Sequence, residues 1–317
     1  MSGARFNRLL AVMQALPGPE AHELCVHLGM RAGGIGGLLA GLGFMLPGFV
    51  LMVAAAWAYF RFDVDAGVFA STLLGAQAAA VAMIVRAAHR IGGYILTSRG
   101  LVIIGGLAAL ATLVGAPFWI VLPAAAAIHG LLLAGRRAGA LAVIFSAALA
   151  CLAWIAWVKP TAGAAAPSVG AVVSLASWAG LFLTGLKAGL LTFGGAYTAI
   201  PFVRQDLVGR GWIDGGTFLD GVTVANVLPA PLVIFATFAG YAAGGFAGAV
   251  AITASIFLPA FAFSMIFYER LGAVVEAPAV KAALDEVAAA VVGIISATVV
   301  VLAVGLVSST RQTTGLR

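Results

Sequence analysis

Apolar segments of about 20 residues follow one another along most of the chain. A helix needs roughly 20 apolar residues to cross a hydrocarbon core of about 30 Å, where lipid offers the backbone no hydrogen-bond partner. Only 9% of the residues are charged, too few to cover the surface of a soluble domain. The sequence therefore predicts an all-α polytopic membrane protein. Its candidate spans are residues 36–60, 67–86, 138–158, 176–200, 219–241, 246–268 and 285–307.

Proline and glycine interrupt two further apolar stretches. Residues 101–134 are too long for one span and predict a hairpin of two short helices. Residues 9–30 contain Pro17, Gly18 and Pro19 at their centre. Because proline breaks the helical hydrogen-bond ladder, this stretch predicts a broken span or a re-entrant segment. We therefore expect about nine or ten membrane segments, some of them with broken helices.

Two proline motifs recur at one constant offset, which indicates an internal duplication. The segment from Gln14 to Pro19 aligns with the segment from Asn226 to Pro231. The Leu-Pro-Gly-Phe motif that begins at Leu46 recurs as Leu-Pro-Ala-Phe from Leu258, at the same offset, and a glycine pair between the motifs recurs with a one-residue slip. The sequence predicts two homologous halves: residues 1–158, including the hairpin, and residues 174–317, joined by a linker at residues 159–173.

The distribution of positive charge predicts how the two halves are oriented. If every predicted segment crosses the membrane, six Lys and Arg residues fall on one side and ten on the other. The positive-inside rule makes the richer side cytoplasmic, and the two halves are then inverted relative to each other. The six are Arg5, Arg8, Arg61, Lys159, Arg311 and Arg317, and the ten are Arg31, Arg86, Arg90, Arg99, Arg136, Arg137, Arg204, Arg210, Arg270 and Lys281.

Lys187 is the single charged residue in the apolar run from Trp178 to Ile200. An ionisable side chain at membrane depth is costly, so it is a functional candidate, with reach to the interface as the alternative. Soon after it come Thr192, Phe193, Gly194 and Gly195. Paired glycines let a helix open and present N–H groups, which together with a cation predict an anion site. A packing kink is the alternative explanation of the glycines.

The paired proline breaks are the second set of candidate binding residues. Breaks at membrane depth must face protein or a wet cavity, because their freed backbone groups need partners. Uncharged amides stand beside them and suit a dehydrated oxyanion, although a purely structural kink would also use these prolines. The residues are Gln14, Pro17, Gly18, Pro19, Asn226, Pro229 and Pro231.

Other classes of function lack their signatures. The net charge of +6 is scattered between apolar runs, which argues against nucleic-acid binding. Cys25 and Cys151 lie far apart, and the histidines at positions 22 and 27 are spaced one residue too widely for the H-E-x-x-H zinc motif. No Walker A motif is present. We therefore predict no cofactor, no metal site and no ATP-driven pump, and a membrane enzyme would need a nucleophile that is not visible.

The motifs resemble the chromate ion transporter family over most of the chain. The strongest resemblance runs from Leu186 to Tyr197, through the lysine and the Thr-Phe-Gly-Gly motif, and includes Gly211-Trp-Ile and Leu228-Pro-Ala-Pro. In the first half it rests on the Leu-Pro-Gly-Pro-Glu-Ala motif from Leu16 and on the Leu-Pro-Gly motif from Leu46. The resemblance implies a multi-pass secondary transporter of the cell inner membrane. It would export an oxyanion dianion, with chromate as the leading substrate and the lipid bilayer as its environment.

The sequence departs from that family in the first half. Members carry a Phe-Gly-Gly motif in both halves, whereas here the first copy would fall well upstream of Met1. We therefore expect the first helix of the first half to be missing. His22 and Glu23 stand where polar amides are expected. Transport of another anion such as sulfate, and a role as a non-transporting membrane partner subunit, stay open. A homodimer is the partner that two incomplete halves suggest, and proton antiport, exchange and potential-driven flux are the alternative driving forces.

Overall fold

A computed structural model describes residues 13, 18–62, 68–116, 118–133, 135–162, 176–192, 195–266, 268 and 278–314, and these residues form helices without a strand. The helices are α1 Glu20–Gly29, α2 Gly34–Arg61, α3 Val68–Ile95, α4 Arg99–Leu113, α5 Phe118–Leu133, α6 Arg137–Ala162, α7 Trp178–Leu190, α8 Ala199–Leu207, α9 Gly215–Val227, α10 Phe235–Ile266 and α11 Pro278–Thr314. Short 3₁₀ turns occupy Met30–Ala32, Ala196–Thr198 and Leu232–Ile234.

The chain falls into two compact units. The first contains residues 1–87, 174–275 and 302–317, and the second contains residues 88–173 and 276–301. Each unit takes residues from both predicted halves, so the units do not follow the duplication. The boundaries of the halves stay a prediction.

Several helices of the described part are long and apolar enough to cross a bilayer, as expected of a polytopic membrane protein. Others, such as α1, α7 and α9, have 10, 13 and 13 residues. At 1.5 Å per residue they reach about 15–20 Å, or roughly half to two thirds of the hydrocarbon core. The long apolar helices are Gly34–Arg61, Thr72–Ile95, Leu232–Ile266 and Glu286–Val307.

Helix boundaries differ from the sequence-based spans at several points, because a helix can extend beyond an apolar stretch or end within one. α3 continues to Ile95, beyond the predicted end at residue 86, so Arg86 and Arg90 lie inside the helix. Alanines favour continuation there, and a helix does not need apolar residues at its ends. The predicted span 176–200 is not one helix, because α7 ends at Leu190 and α8 begins at Ala199. α6 likewise extends through Ala162, into the predicted linker.

α10 is folded back on itself at a glycine pair. Gly244 and Gly245 have non-helical dihedral angles, with φ of +63° at Gly245, and this turn falls between the two predicted spans. The hydroxyl groups of Thr237 and Thr253 are 2.7 Å apart, although a straight helix would separate them by about 24 Å. Residues 235–243 and 246–266 are therefore two antiparallel arms.

The first half contains an equivalent hairpin. α1 turns through Met30–Ala32 and Gly33 into α2, and Gly29 lies directly against the backbone of Gly36. Gly33 has a φ of +88°, and it aligns with Gly245 at the offset that relates the proline motifs. The glycine with positive φ therefore occupies the same aligned position in both hairpins. The one-residue slip that was predicted from the glycine pairs is not needed. The slip was wrong because the turn requires a glycine at this one position, whereas its neighbour is free to be alanine.

The two equivalent long helices run in opposite directions. The start of α2 approaches the end of the second α10 arm, where Gly34 lies beside Met265. Further along, the rings of Phe49 and Phe246 are 6.4 Å apart, so the middle of α2 meets the start of that arm. Oppositely directed equivalents are the relation expected of inverted repeats.

Glycines allow α7 to pack tightly on the second arm of α10. The α-carbon of Gly185 lies against the carbonyl oxygen of Ile252, and that of Gly189 lies against the carbonyl oxygen of Ile256. Small residues spaced four apart on one helix face permit such close approach in membranes. The second unit uses the same device, because Gly293 of α11 lies against the backbone of Gly105 in α4.

We expect Gly185→Ala to lower the thermal stability of the purified protein. Its methyl group would overlap the carbonyl oxygen of Ile252, a backbone atom that cannot rotate away, and overpacking typically costs about 1–3 kcal/mol. Gly43→Ala is the matched control, because nothing lies within 4 Å of that position in α2. Thermal unfolding in detergent measures both, and an unchanged melting temperature for Gly185→Ala would contradict the packing described.

Candidate functional site

The break before α1 meets the break after α7. The amide of Gly18 donates a 2.8 Å hydrogen bond to the carbonyl oxygen of Thr192. Both residues are buried, and Gly18 adopts a φ of +146°, which an L side chain rarely accepts. An added β-carbon at Gly18 would come 3.2 Å from the methyl group of Ala260, next to the proline of α10. Two predicted binding residues, Gly18 and Thr192, are thus brought into direct contact.

A second junction repeats this contact with the roles of the halves exchanged. An added β-carbon at Gly48 of α2 would come 2.9 Å from Cβ of Ala230 and 3.3 Å from Cδ of Pro231. Gly48 corresponds to Ala260, and Ala230 corresponds to Gly18, each at the offset of the duplication. The break of each half therefore crosses the proline-containing helix of the other half. The crossing places both predicted breaks, at Pro19 and at Pro231, in the first unit.

Asn226 connects the break before α10 with the turn after α7. The hydroxyl group of Tyr197 donates to Oδ1 of Asn226 at 3.2 Å, and Nδ2 of Asn226 donates to the carbonyl oxygen of Val222 at 2.9 Å. Pro229 is exposed and Pro231 is half-buried. The sequence did not single out Tyr197 as a site residue, although it stands two residues after Gly195.

Lys187 is paired, and is not the isolated charge that its sequence neighbourhood suggested. Its ammonium group forms an ion pair with Oδ2 of Asp206, next to the end of α8, and the hydroxyl group of Thr184 donates to the same oxygen at 3.1 Å. Arg210 lies 4.0 Å from the other oxygen of Asp206. About a quarter of the Lys187 side chain is exposed, and about an eighth of that of Asp206. The helix break between α7 and α8 makes this pairing possible by turning α8 back towards Lys187.

Some of the remaining predicted site residues are described by the structure and others are not. Gln14, Pro17, Phe193 and Gly194 lie outside the described residues. Gly195 is described and has a φ of +135°, consistent with an opened backbone. The hydroxyl group of Thr192 was expected to donate to an anion, but it donates to the carbonyl oxygen of Ala188 at 2.6 Å because a threonine at a helix end satisfies its own last turn.

Two buried titratable residues stand beside the first junction. His22 and Glu23 are fully buried, and no protein hydrogen-bond partner among the described residues reaches the His22 ring nitrogens or either carboxyl oxygen of Glu23. The His22 ring packs 4.6 Å from that of Phe261 and 4.8 Å from that of Phe257. In the sequence, His22 and Glu23 stood out only because the family resemblance leads to polar amides at these positions.

Asp220 joins three helices of the first unit. It accepts a 2.6 Å hydrogen bond from the hydroxyl group of Tyr59 in α2 and a 2.5 Å hydrogen bond from the amide of Gln77 in α3. The residue itself belongs to α9, whose N-terminus is capped by Asp214 through the amides of Gly216 and Thr217. No local signal could reveal this cluster, because both partners are distant from Asp220 in the sequence.

Among the residues that the structure describes, no group of three or more His, Cys, Asp and Glu residues is arranged to hold a metal ion. The described site is therefore built from backbone at helix breaks, one ion pair, an amide–phenol pair and two buried titratable side chains. Backbone groups at helix breaks and an ammonium group have the chemistry that suits an anionic ligand.

Comparisons with known proteins identify the family and support the duplication. A family model described as Chromate transporter matches residues 1–131 and again residues 179–315, which shows two homologous halves. The chromate transport protein of Pseudomonas aeruginosa is 58% identical over 305 residues, which are 96% of this chain and 72% of that protein. The chromate transport protein of Cupriavidus metallidurans is 30% identical over 316 residues, 96% of this chain and 74% of that protein. No solved structure matches.

Proposed function

The chain belongs to the chromate transporter family, and we propose that it is a secondary transporter that exports chromate from the cytoplasm across the cell inner membrane. The relatives are named as transport proteins and not as enzymes, and the apolar helices make this a multi-pass membrane protein. Chromate as the cargo of this chain, the outward direction and secondary coupling belong to the proposal.

The observation that carries the proposal is the crossing of the two broken segments over the proline-containing helices of the opposite halves. Breaks within a membrane expose backbone groups that need partners, and such paired breaks form the binding sites of inverted-repeat transporters. Here Gly18 of the first break contacts Thr192 and lies against Ala260, and Ala230 of the second break lies against Gly48 of α2. A bound oxyanion would complete the hydrogen bonding of N–H groups at these breaks.

Lys187 supplies the positive charge in this proposal. In the resting arrangement its ammonium group is held by Asp206, and the arriving dianion competes with that carboxylate. Gly195, whose backbone is opened at a φ of +135°, contributes an N–H donor, and Asn226 contributes an amide that is already oriented by Tyr197. Thr192, Phe193 and Gly194 stay predicted members of this part of the site. Pro19, Pro229 and Pro231 keep the segments from closing into continuous helices, and Gly18 lies at the first break. Gln14 and Pro17 stay predicted members of that break.

Chromate uptake by everted membrane vesicles tests the function directly. Vesicles that contain this chain should accumulate chromate above vesicles from the same cells without it, because export from the cell becomes uptake when the membrane is everted. Excess sulfate and excess molybdate in parallel samples measure selectivity among tetrahedral dianions. Equal chromate uptake with and without the chain would refute the proposal, and uptake only in right-side-out vesicles would refute the direction.

A further inference from the structure

We propose that Glu23 binds a proton when an anion binds at the helix breaks, so that this transporter carries a proton and the anion together. The inference rests on the proposed function. It names Glu23 as the residue that carries the proton, and it predicts that proton and anion move in the same direction. The step is a simple protonation: the Glu23 carboxylate takes a proton from water as the dianion enters, and returns it to water when the dianion leaves.

Glu23 lies directly on the first break. Its Oε1 atom is 2.5 Å from the position that a β-carbon at Gly18 would occupy, so the absence of a side chain at Gly18 makes room for the carboxyl group. The amide of Gly18 is held by Thr192 of the second half. The carboxyl group is therefore aimed at the junction of the two breaks, where the anion is proposed to bind.

No cation among the described residues forms an ion pair with Glu23. The elements packed against α1 are the 3₁₀ turn, α2 and α10. Glu20 on α1 acts on Glu23 electrostatically, as a second negative charge. The titratable groups of these elements are Glu20, His22, Cys25 and His27 on α1, Arg31 on the turn, Tyr59 and Arg61 on α2, and Tyr241 on α10.

Electrostatics fixes the sign of the coupling. A buried carboxylate without a hydrogen-bond partner is unfavourable by itself, and a dianion nearby repels it with twice the force of a single charge. Protonation removes this repulsion and turns the carboxyl group into a donor that an oxyanion can accept from. Anion binding therefore favours protonation, and by linkage protonation favours anion binding to the same extent.

His22 is the alternative proton carrier, and the structure favours Glu23. The His22 ring is enclosed by Phe44, Phe257 and Phe261, with ring centroids at 4.6–5.9 Å. The carboxyl group of Glu23 instead meets Gly18, the backbone of the break itself. A proton on Glu23 therefore acts on the proposed anion site more directly than a proton on His22.

Proton uptake on chromate binding tests the inference. Purified protein is mixed with chromate in weakly buffered detergent solution, alkaline enough for chromate to stay a dianion and for Glu23 of the free protein to be ionised, while a dye reports pH and calorimetry reports binding. The wild type should take up about one proton for each chromate bound. Glu23→Gln should bind chromate with no proton uptake, because the amide mimics the protonated acid. Glu286→Gln, which removes another buried carboxyl group, should behave as the wild type.

The wild type alone supplies a second readout if Glu23→Gln fails to fold. Coupling to one proton makes the affinity for chromate fall by about tenfold for each pH unit in the alkaline range. A pH-independent affinity, or binding without proton uptake, would overturn the inference and leave the proposed function standing. Proton uptake that persists in Glu23→Gln would overturn the assignment to Glu23 and point to His22. Absence of chromate binding by the wild type would overturn both.

Discussion

Lys187→Ala is expected to lower chromate export at least tenfold at matched membrane levels, measured as uptake by everted vesicles. The substitution removes the cation that we propose to meet the dianion, and it also removes the closer of the two cations that the structure places beside the carboxylate of Asp206, leaving Arg210 at 4.0 Å. Breaking a buried ion pair by removing one partner costs several kcal/mol when both groups are fully buried. Because about a quarter of the Lys187 side chain is exposed, the structural part of the loss is smaller.

Asp206→Asn separates the two roles of Lys187. It removes the competing carboxylate and keeps the ammonium group, so chromate affinity should rise, while turnover is expected to fall because release becomes slower. The double variant Lys187→Ala with Asp206→Asn is the decisive sample. If Lys187 binds the anion, the double variant stays inactive. If Lys187 serves only to neutralise Asp206, the double variant regains transport, and the substrate role of Lys187 is wrong.

Arg210→Ala is the control for a nonspecific loss of positive charge. Arg210 belongs to the same charged group but lies 4.0 Å from Asp206, and about half of its side chain is exposed. Exposed pairs contribute about 0–1 kcal/mol, so we expect export within about twofold of the wild type. A loss as large as that of Lys187→Ala would show that net charge, and not the position of Lys187, governs transport.

The sequence contained the positions of the helix breaks because proline and glycine act locally. Pro229 and Pro231 end one helix and delay the next until Phe235, as expected from the missing donors. The apolar run from residue 219 to 268 was divided correctly near residues 241–246, where Gly244 and Gly245 make the turn. The duplication was also visible, because its two proline motifs share one offset.

The sequence could not reveal which breaks meet, because those contacts depend on tertiary packing. Asp206 follows Lys187 in the chain but pairs with it only because α8 turns back after the break. Gly48 and Ala230 are far apart in sequence, and neither stands out among the many small residues of the chain. Burial of Glu23 was equally hidden, since its helix has acidic residues in the first turn, where they are common at exposed helix ends.

Gly48→Ala is expected to lower chromate export about tenfold and to be rescued by Ala230→Gly. The added methyl carbon would stand 2.9 Å from the methyl carbon of Ala230, closer than two carbon atoms can pack, so the two segments must separate at the crossing. Overpacking of about 1–3 kcal/mol at a site that must hold its geometry corresponds to a loss of roughly five- to 150-fold. Everted-vesicle uptake again provides the measurement.

Rescue by the partner residue distinguishes a specific crossing from general instability. With Ala230→Gly, the nearest atom to the new methyl group becomes Cδ of Pro231 at 3.3 Å, which a small shift accommodates. The single variants Ala230→Gly and Gly43→Ala serve as controls, the second because nothing lies within 4 Å of Gly43 in the same helix. Normal transport by Gly48→Ala, or a double variant no better than Gly48→Ala, would show that the crossing does not control transport. A rescued double variant would show that transport requires the fit between Gly48 and Ala230, because the only change that restores function is the removal of one methyl group from the opposite half.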